Sequence, residues 1–223
     1  MFRAVLFDID GTLVDSNDAH ARAWVDAFEQ AGIHVEFEMV RRCIGMGGDK
    51  LMPVAAGITE DSPPGRHVSK RRGEIFKAEY LPTVQPFRDA GRLVATLQSR
   101  GFMTVAASSA KKDELEALLT IAGAKSLIEG ATSGDDAEES KPDPDIIHAA
   151  LEKAQTPANE AVMIGDTPYD VEAASRAGVK TIAFRCGGWD DRELRGAIAI
   201  YDGPWDLLAR LDDSPFARVE SNP

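Results

Sequence analysis

The stretch "RAVLFDIDGTLVDS", Arg3 to Ser16, decides how the rest of the chain is read. Its apolar run Ala4–Phe7 has no polar alternation, the pattern of a strand buried on both faces. Asp8 and Asp10 follow, with Gly11 and Thr12 directly after them. Carboxylates at the end of a buried strand are unfavourable unless something binds there.

Similar runs recur at Phe102–Ala107, Ala161–Ile164, Val179–Phe184 and Ala197–Tyr201. Between them, helical spacing runs over 88–100, 111–122, 144–154 and 168–177, bounded by Gly101, Gly123, Pro157 and Gly178. Strands alternating with helices predict an α/β fold with a doubly wound, mostly parallel, Rossmann-like sheet. One connection departs from this rhythm. From Ser16 to Pro82 only amphipathic helical pattern is visible, as in "DAHARAWVDAFEQAG" and "HVSKRRGEIFKAEYL". A βα loop ordinarily has about 2 to 6 residues. The length of this one predicts a small helical domain over 16–82, inserted into a core made of 1–15 and 83–223. That these helices simply pack on the sheet stays open as the alternative.

The 223 residues carry 25 Lys and Arg against 37 Asp and Glu, a net charge of −12, and 43% of them are hydrophobic. A proper core is therefore expected. The longest basic cluster is Lys70-Arg71-Arg72, so neither nucleic acid nor an anionic membrane surface is an expected partner. A small anion is still compatible, because a local pocket with a cation overcomes distributed surface charge. No apolar run approaches the roughly 20 residues of a membrane span. The N-terminal run is interrupted by carboxylates where a signal peptide would continue apolar, and a cytoplasmic location is expected. Cys43 and Cys186 are far apart without CxxC spacing, which favours reduced thiols over zinc or a disulfide. Gly134–Ser140 reads as an acidic loop and the tail from Asp212 as loosely ordered. The sequence is silent on oligomeric state, with a monomer as the default.

In open α/β sheets, ligands bind beyond the carboxyl ends of the strands. The residues expected there are Asp8 and Asp10, then Ser108 and Ser109, then Asp166 with Asp170, while Lys141 in "SKPDPDI" precedes a helix and reaches the same rim. That many carboxylates would raise one another's pKa values. Hard oxygen ligands suit Mg²⁺, which resolves the conflict. Mg²⁺, Lys141, Ser108 and backbone N–H groups after Asp8 would cradle a phosphoryl group, with Gly11 letting the backbone approach. One aspartate would attack phosphorus and the second, two residues on, would move the protons. Each signal alone has a plainer reading: a Ser-Ser pair caps a helix, and "KPDP" opens one. Their order and strand-end placement give them weight together.

Taken in order, "DIDGTLVDS", Ser108 in "VAASSA", Lys141 in "SKPDP" and "IGDTPYDVEAASRAG" resemble the four motifs of the haloacid dehalogenase superfamily, phosphatase branch. The helical insertion is similar to that family's small α-helical cap. The resemblance implies Asp8 as nucleophile, Asp10 as general acid/base, Ser108 and Lys141 as stabilisers of the phosphoryl group, and Asp166 with Asp170 as the metal site. Mg²⁺ would touch the Asp8 carboxylate, the Asp10 carbonyl and Asp166. The halide-cleaving members lack the second aspartate and the metal site, so Asp10 and Asp166 point to phosphoryl transfer.

"DAHARAW", Asp18 to Trp24, resembles the β-phosphoglucomutase subgroup, and His20 would then support Asp10. Its plainer reading is a solvent-facing helix residue. "RRCIGMGGDKLMP" resembles the cap loop of the same group, making Gly45 and Lys50 candidate substrate-binding residues beside Gly11, Thr12, His20 and Ser109. Where the mutases carry an Arg for a second phosphate, this chain has Gly48, with Lys50 or one of Lys70, Arg71 and Arg72 as a candidate substitute and a solvated helix face as the plainer reading of that run; "DGTL" is closer to the phosphatases. Phosphonate-cleaving relatives use a cap lysine as a Schiff base, for which Lys50 would have to be buried. The expectation is a Mg²⁺-dependent phosphatase acting on a small phosphorylated metabolite through an Asp8 phosphoenzyme. The alternatives are a phosphosugar mutase, a phosphonate hydrolase and a phospho-acceptor module that does not turn over.

Overall fold

The computed structural model of the chain describes residues 1–136 and 139–217. Six strands form one parallel sheet: β1 (Ala4–Phe7), β4 (Met103–Ala107), β5 (Gly130–Thr132), β6 (Ala161–Gly165), β7 (Lys180–Phe184) and β8 (Ala199–Tyr201). Their order is β5-β4-β1-β6-β7-β8, which puts the strand carrying Asp8 near the middle. All four residues of β1 are fully buried. Truncating Leu6 or Phe7 to Ala would cost about 3–5 kcal/mol through lost burial and the cavity left behind. The expected strands match within two residues at their ends, whereas β5 was not expected.

Helices α5 (Ala90–Ser99), α6 (Lys112–Ile121), α7 (Asp145–Ala154), α8 (Pro168–Arg176) and α9 (Pro204–Ala209) connect and cover the sheet. Parallel strands need such crossovers, because the chain must return to the same end of the sheet before the next strand begins. Between β1 and α5, the chain forms α1 (Asn17–Gln30), α2 (Phe37–Cys43), α3 (Gly48–Ala56) and α4 (Pro63–Ile75). α1 packs on α2 and α4, and α3 packs on α2. The two ends of this helical segment are joined by a short antiparallel ribbon of β2 (Val14–Asp15) and β3 (Gln85–Pro86). The ribbon fixes where the chain leaves the sheet and where it returns.

The tail departs from its expectation up to Ala217. Ser214 and Phe216 are buried, and the Phe216 ring lies 6.3 Å from Phe2 and 5.3 Å from Phe102, centroid to centroid. One aromatic residue in an otherwise polar tail supplies the apolar contact that anchors it. Residues 218–223 lie outside the described part, as do 137 and 138 of the acidic stretch, whose Gly134–Asp136 form a 3₁₀ turn. Among the described residues, no helix is long and apolar enough to cross a membrane.

Candidate active site

The parallel register brings the strand ends to one rim. Phe7 pairs with Ala106 on one side and Ile164 on the other, so Asp8, Ala107 and Gly165 follow at the same level. The Asp8 N–H donates to the Ile164 carbonyl at 2.9 Å, and the Ser108 N–H donates to the Thr132 carbonyl at 3.2 Å. Lys141, from the loop before α7, is buried with its ammonium donating to Asp8 Oδ1 at 2.7 Å and to the Ala107 carbonyl at 2.9 Å. It also pairs with Asp170 Oδ1 at 2.7 Å. Burial pulls this ammonium down, but Asp170 and Asp8 outweigh it and hold its pKa above the ordinary lysine value.

Asp8, Asp166 and Asp170 are all buried and place one carboxylate oxygen each within 4.8 Å of the others. The Thr12 hydroxyl faces Asp166 Oδ1 at 2.9 Å and Asp8 Oδ2 at 3.1 Å. A hydroxyl has one proton to donate, so these two carboxylates converge on a single donor. Burial pushes the Asp8 carboxyl well above its ordinary value; Lys141 opposes this, and Asp170, Asp166 and Asp10 add to it. Asp166 is pushed up to about 7, first by burial and then by Asp170. Several hard oxygens facing one lysine, with too few protons between them, fit a divalent cation such as Mg²⁺.

The surroundings leave room for this arrangement. Gly11 has a φ of 76°, and a Cβ there would stand 2.3 Å from Asp166 Oδ2. At Gly187 a Cβ would stand 1.7 Å from the same oxygen. Asn17 donates to Asp166 Oδ2 at 2.9 Å and to the Gly187 carbonyl at 3.2 Å. Asp170 also closes a capping box at the start of α8, accepting from the Thr167 N–H and hydroxyl. Gly11 and Thr12, expected at the substrate, therefore shape and orient the carboxylates. Neither lines the cavity in front of Asp8.

Asp10 turns away from this cluster. Its Oδ1 meets His20 Nε2 at 2.8 Å and accepts from the Ser16 hydroxyl. His20 is buried and stacks on Phe76 with centroids 3.9 Å apart and planes at 15°, which excludes the solvent-facing reading. Burial works to raise the Asp10 carboxyl, yet the charge that His20 carries when protonated, hydrogen bonds from His20 and Ser16, and Arg72 together hold it below its ordinary value.

In front of Asp8 and Asp10 lies an inner cavity of about 60 Å³, also lined by His20, Gly45 and Ser109. Trp24, Gly47, Gly48, Arg72 and Ser109 also line a neighbouring outer cavity of about 690 Å³. Ser108 stays behind this wall, its hydroxyl accepting from the Ala110 N–H at 3.1 Å. The Ser109 hydroxyl is shielded from water and has no hydrogen-bond partner among the described residues.

Lys50 departs from its expectation. Its ammonium pairs with Glu139 and with Asp143, the latter at 3.1 Å, and it lines neither cavity. The hydrogen bonds it donates to Glu139 and Asp143 raise its pKa, the opposite of what an amine poised for a Schiff base requires. Its neighbours are the cap-side contacts to the residue before Lys141: the Gly47 N–H donates to Ser140 Oγ at 3.0 Å.

Sequence reasoning missed Asn17, Gly187 and Glu114, and weighed Arg72 only as one of the run 70–72 that could replace the mutases' arginine, against a solvated helix face. Asn17 carried a signal, since it stands directly after the strand-end motif. Glu114 carried none.

The haloacid dehalogenase-like hydrolase family profile matches residues 5–184, which include Asp8, Lys141, Asp166 and Asp170. The chain belongs to this family. Among curated proteins it is similar to the phosphoglycolate phosphatase of Aquifex aeolicus, 29% identical over 218 residues, covering 95% of this chain and 97% of that one. It is also similar to the protein suppressor of quenching 1, chloroplastic, of Arabidopsis thaliana, 33% identical over 186 residues; the match covers 82% of this chain and 18% of the plant protein. Among solved structures, a hydrolase from Pseudomonas syringae superposes with a TM-score of 0.85 at 29% identity, covering 94% of this chain and 98% of that one. The six-stranded parallel sheet is thus the α/β core of a haloacid dehalogenase-like hydrolase.

Proposed function

We propose that this family member is a Mg²⁺-dependent phosphatase that hydrolyses a small phosphorylated metabolite through an aspartyl phosphate on Asp8. The observation that carries the reading is the division of labour across the inner cavity. Asp8 stands with Lys141, Asp166 and Asp170 on one side, while Asp10 stands with His20 on the other. Similarity to a phosphoglycolate phosphatase supports the substrate class.

The residues that would hold Mg²⁺ are Asp8 and Asp166, with Asp170 beside them, and the ion would neutralise charge on the phosphoryl oxygens. Lys141 opposes the burial that favours the protonated Asp8 carboxyl and balances the same charge, leaving a carboxylate oxygen to attack phosphorus in line. The bond to the leaving oxygen breaks as Asp10 gives it a proton. A phosphoryl dianion arriving beside Asp10 raises that carboxyl's proton affinity, which readies it for this step. Asp10 then takes a proton from the water that attacks the aspartyl phosphate, releasing inorganic phosphate and restoring Asp8. His20 holds Asp10 in position, and the Phe76 ring fixes His20.

As part of this reading, residues 16–82 act as a cap domain over a core of 1–15 and 83–223, with the β2–β3 ribbon at the join. A monomer in the cytoplasm is the simplest setting. A phosphosugar mutase would use the same rim, and the contact between His20 and Asp10 is the observation in its favour.

The test is turnover of a panel of phosphorylated metabolites with Mg²⁺ present and then chelated. Release of inorganic phosphate, dependent on Mg²⁺ and lost in Asp8→Asn, is expected. An isomerised sugar phosphate without net phosphate release would replace this reading with the mutase.

A further inference from the structure

Resting on the phosphatase reading, this inference concerns what holds Lys141 at the phosphoryl group. Lys141 is buried, and its ammonium reaches Asp8 Oδ1, Asp170 Oδ1 and the Ala107 carbonyl. A lysine is a point charge on a flexible four-carbon stem, so its placement depends on where its backbone is held. That backbone lies in 139–144, ahead of α7 and outside regular secondary structure. The Asp143 N–H donates to the Ser140 carbonyl at 3.0 Å, which closes a turn with Lys141 and Pro142 at its centre. Whatever fixes Ser140 therefore fixes the turn that carries the lysine.

The helical segment grips this turn from outside. The Gly47 N–H donates to Ser140 Oγ at 3.0 Å, the Ser140 hydroxyl donates to Asp49 Oδ1 at 2.5 Å, and the Ser140 N–H donates to Asp49 Oδ2 at 3.4 Å. Asp49 stands in the first turn of α3, where a carboxylate ordinarily serves its own helix. Here both of its oxygens take donors from one residue of the core, which sets the orientation of Ser140 as well as its distance. The approach is close: a Cβ at Gly47 would stand 2.5 Å from the Ser140 Cβ. Lys50 adds ion pairs to Glu139 and Asp143 that are partly solvated and therefore weak. Elsewhere the same seam is bridged by Arg72 on α4, whose Nη1 donates to Oε2 of the buried Glu114 on α6 at 2.7 Å and whose guanidinium lies over Trp24 at 5.2 Å and Phe76 at 5.8 Å. That bridge ties the segment to a helix, whereas the grip on Ser140 ties it to the neighbour of a side chain that touches Asp8.

We propose that Asp49 is a positioning residue for phosphoryl transfer: by holding the Ser140 hydroxyl and N–H, it fixes the turn from which Lys141 reaches Asp8. A misplacement of about 1 Å at a group that balances transition-state charge costs up to about 100-fold in rate. Asp49 acts through Ser140 and Lys141 and touches no part of the substrate in this role. Its effect is therefore the same on every ester, unlike that of a residue that reads the leaving group.

The experiment measures kcat and KM with Mg²⁺ on glycerol phosphate and an aryl phosphate, together with Tm and the Kd of orthovanadate, an anion of phosphate geometry. The enzymes are the wild type, Asp49→Ala, Asp49→Asn, Ser140→Ala and Lys50→Ala. Asp49→Ala and Ser140→Ala are each expected to lower kcat by roughly 30-fold, equally on both esters. The double substitution loses no more than either alone, because both break one contact. Asp49→Asn keeps an acceptor for the hydroxyl and recovers kcat to within about fivefold of wild type. Lys50→Ala, on the same seam, stays within about threefold. Coupling to the lysine is read with vanadate: Asp49→Ala weakens its binding about tenfold, but less than about twofold in a Lys141→Met background. A fall in Tm with kcat near wild type would leave the contact a structural tie and overturn the inference. So would a loss confined to one ester, or a vanadate effect of equal size without Lys141. Should Asp49→Ala fail to fold by circular dichroism, Ser140→Ala and Asp49→Asn decide by the same measures. Normal turnover in Asp49→Ala contradicts this inference alone, whereas no turnover of either ester by the wild type contradicts the phosphatase reading beneath it.

Discussion

Asp8 and Arg72 line the same inner cavity, but they are held in different ways. Asp8 is fixed by the strand register, by a backbone hydrogen bond to Ile164, by Lys141 and by Thr12. Arg72 rises from a helix face and is held by one carboxylate and two aromatic rings. On the sheet side, several independent constraints hold the carboxylates, so substitution there is expected to abolish turnover whatever the substrate. At Arg72, single contacts can be exchanged, so the effects of substitution there depend on what is bound.

The largest expected effect tests the sheet side. Asp8→Asn keeps shape and volume but removes the nucleophile, and kcat on an aryl phosphate is expected to fall by at least about 10⁴-fold. Residual turnover within tenfold of wild type would break the contrast at its base. Chelation of divalent ions comes next. It is expected to reduce turnover to background, with full recovery on adding Mg²⁺, and persistent activity in chelator would remove the metal from the account.

The same acids give a pH signature in the metal-free protein. The Asp166 carboxyl has a pKa of about 7 when folded, against 3.8 for the unperturbed group. The folded state therefore holds a proton that the unfolded chain has released, and this contribution is present below the unfolded value and is lost as pH rises through about 7. Thermal melts in chelator should show Tm falling between pH 5 and pH 8, and Mg²⁺ should restore more at pH 8 than at pH 5. A Tm that rises over this range in chelator would contradict the sign.

Smaller effects probe the helical side. His20→Gln is expected to lower kcat by about 100-fold and to move the pH profile, because Asp10 loses the partner that holds its carboxyl low. A drop in kcat with an unmoved profile would make His20 a packing residue only. Lys50→Ala is expected to change kcat/KM by less than about threefold and stability by less than about 1 kcal/mol, since its ion pairs are partly solvated. A large loss on Lys50→Ala would bring that lysine back to the substrate.

The strand-end aspartates were legible because charge beside an unbroken apolar run is a local pattern. Ala4–Phe7 with Asp8, and Ala161–Ile164 with Asp166, each announce a rim within ten residues of sequence. Strand β5 was not legible, because Gly130-Ala131-Thr132 owes its place to pairing with Val105–Ala107 and carries little apolar pattern of its own. Arg72 could not be singled out from its neighbours for another reason. In the run Lys70-Arg71-Arg72, Lys70 is 81% exposed and Arg72 18%, and only the rotation of α4 against Trp24 separates them. Glu114 reads as an ordinary first-turn acid, and its burial depends on a helix some forty residues away in sequence. Gly187 is a third case, since its meaning lies entirely in the oxygen of Asp166 that would occupy its Cβ.

The most direct measurement is to quench the Asp10→Asn variant with acid during turnover of a phosphomonoester and map the phosphorylated peptide by mass spectrometry. Without Asp10 to activate water, the intermediate should accumulate, with one phosphoryl group on the N-terminal peptide at Asp8. A phosphoryl group on any other residue, or none while inorganic phosphate is still released at the wild-type rate, would contradict the account.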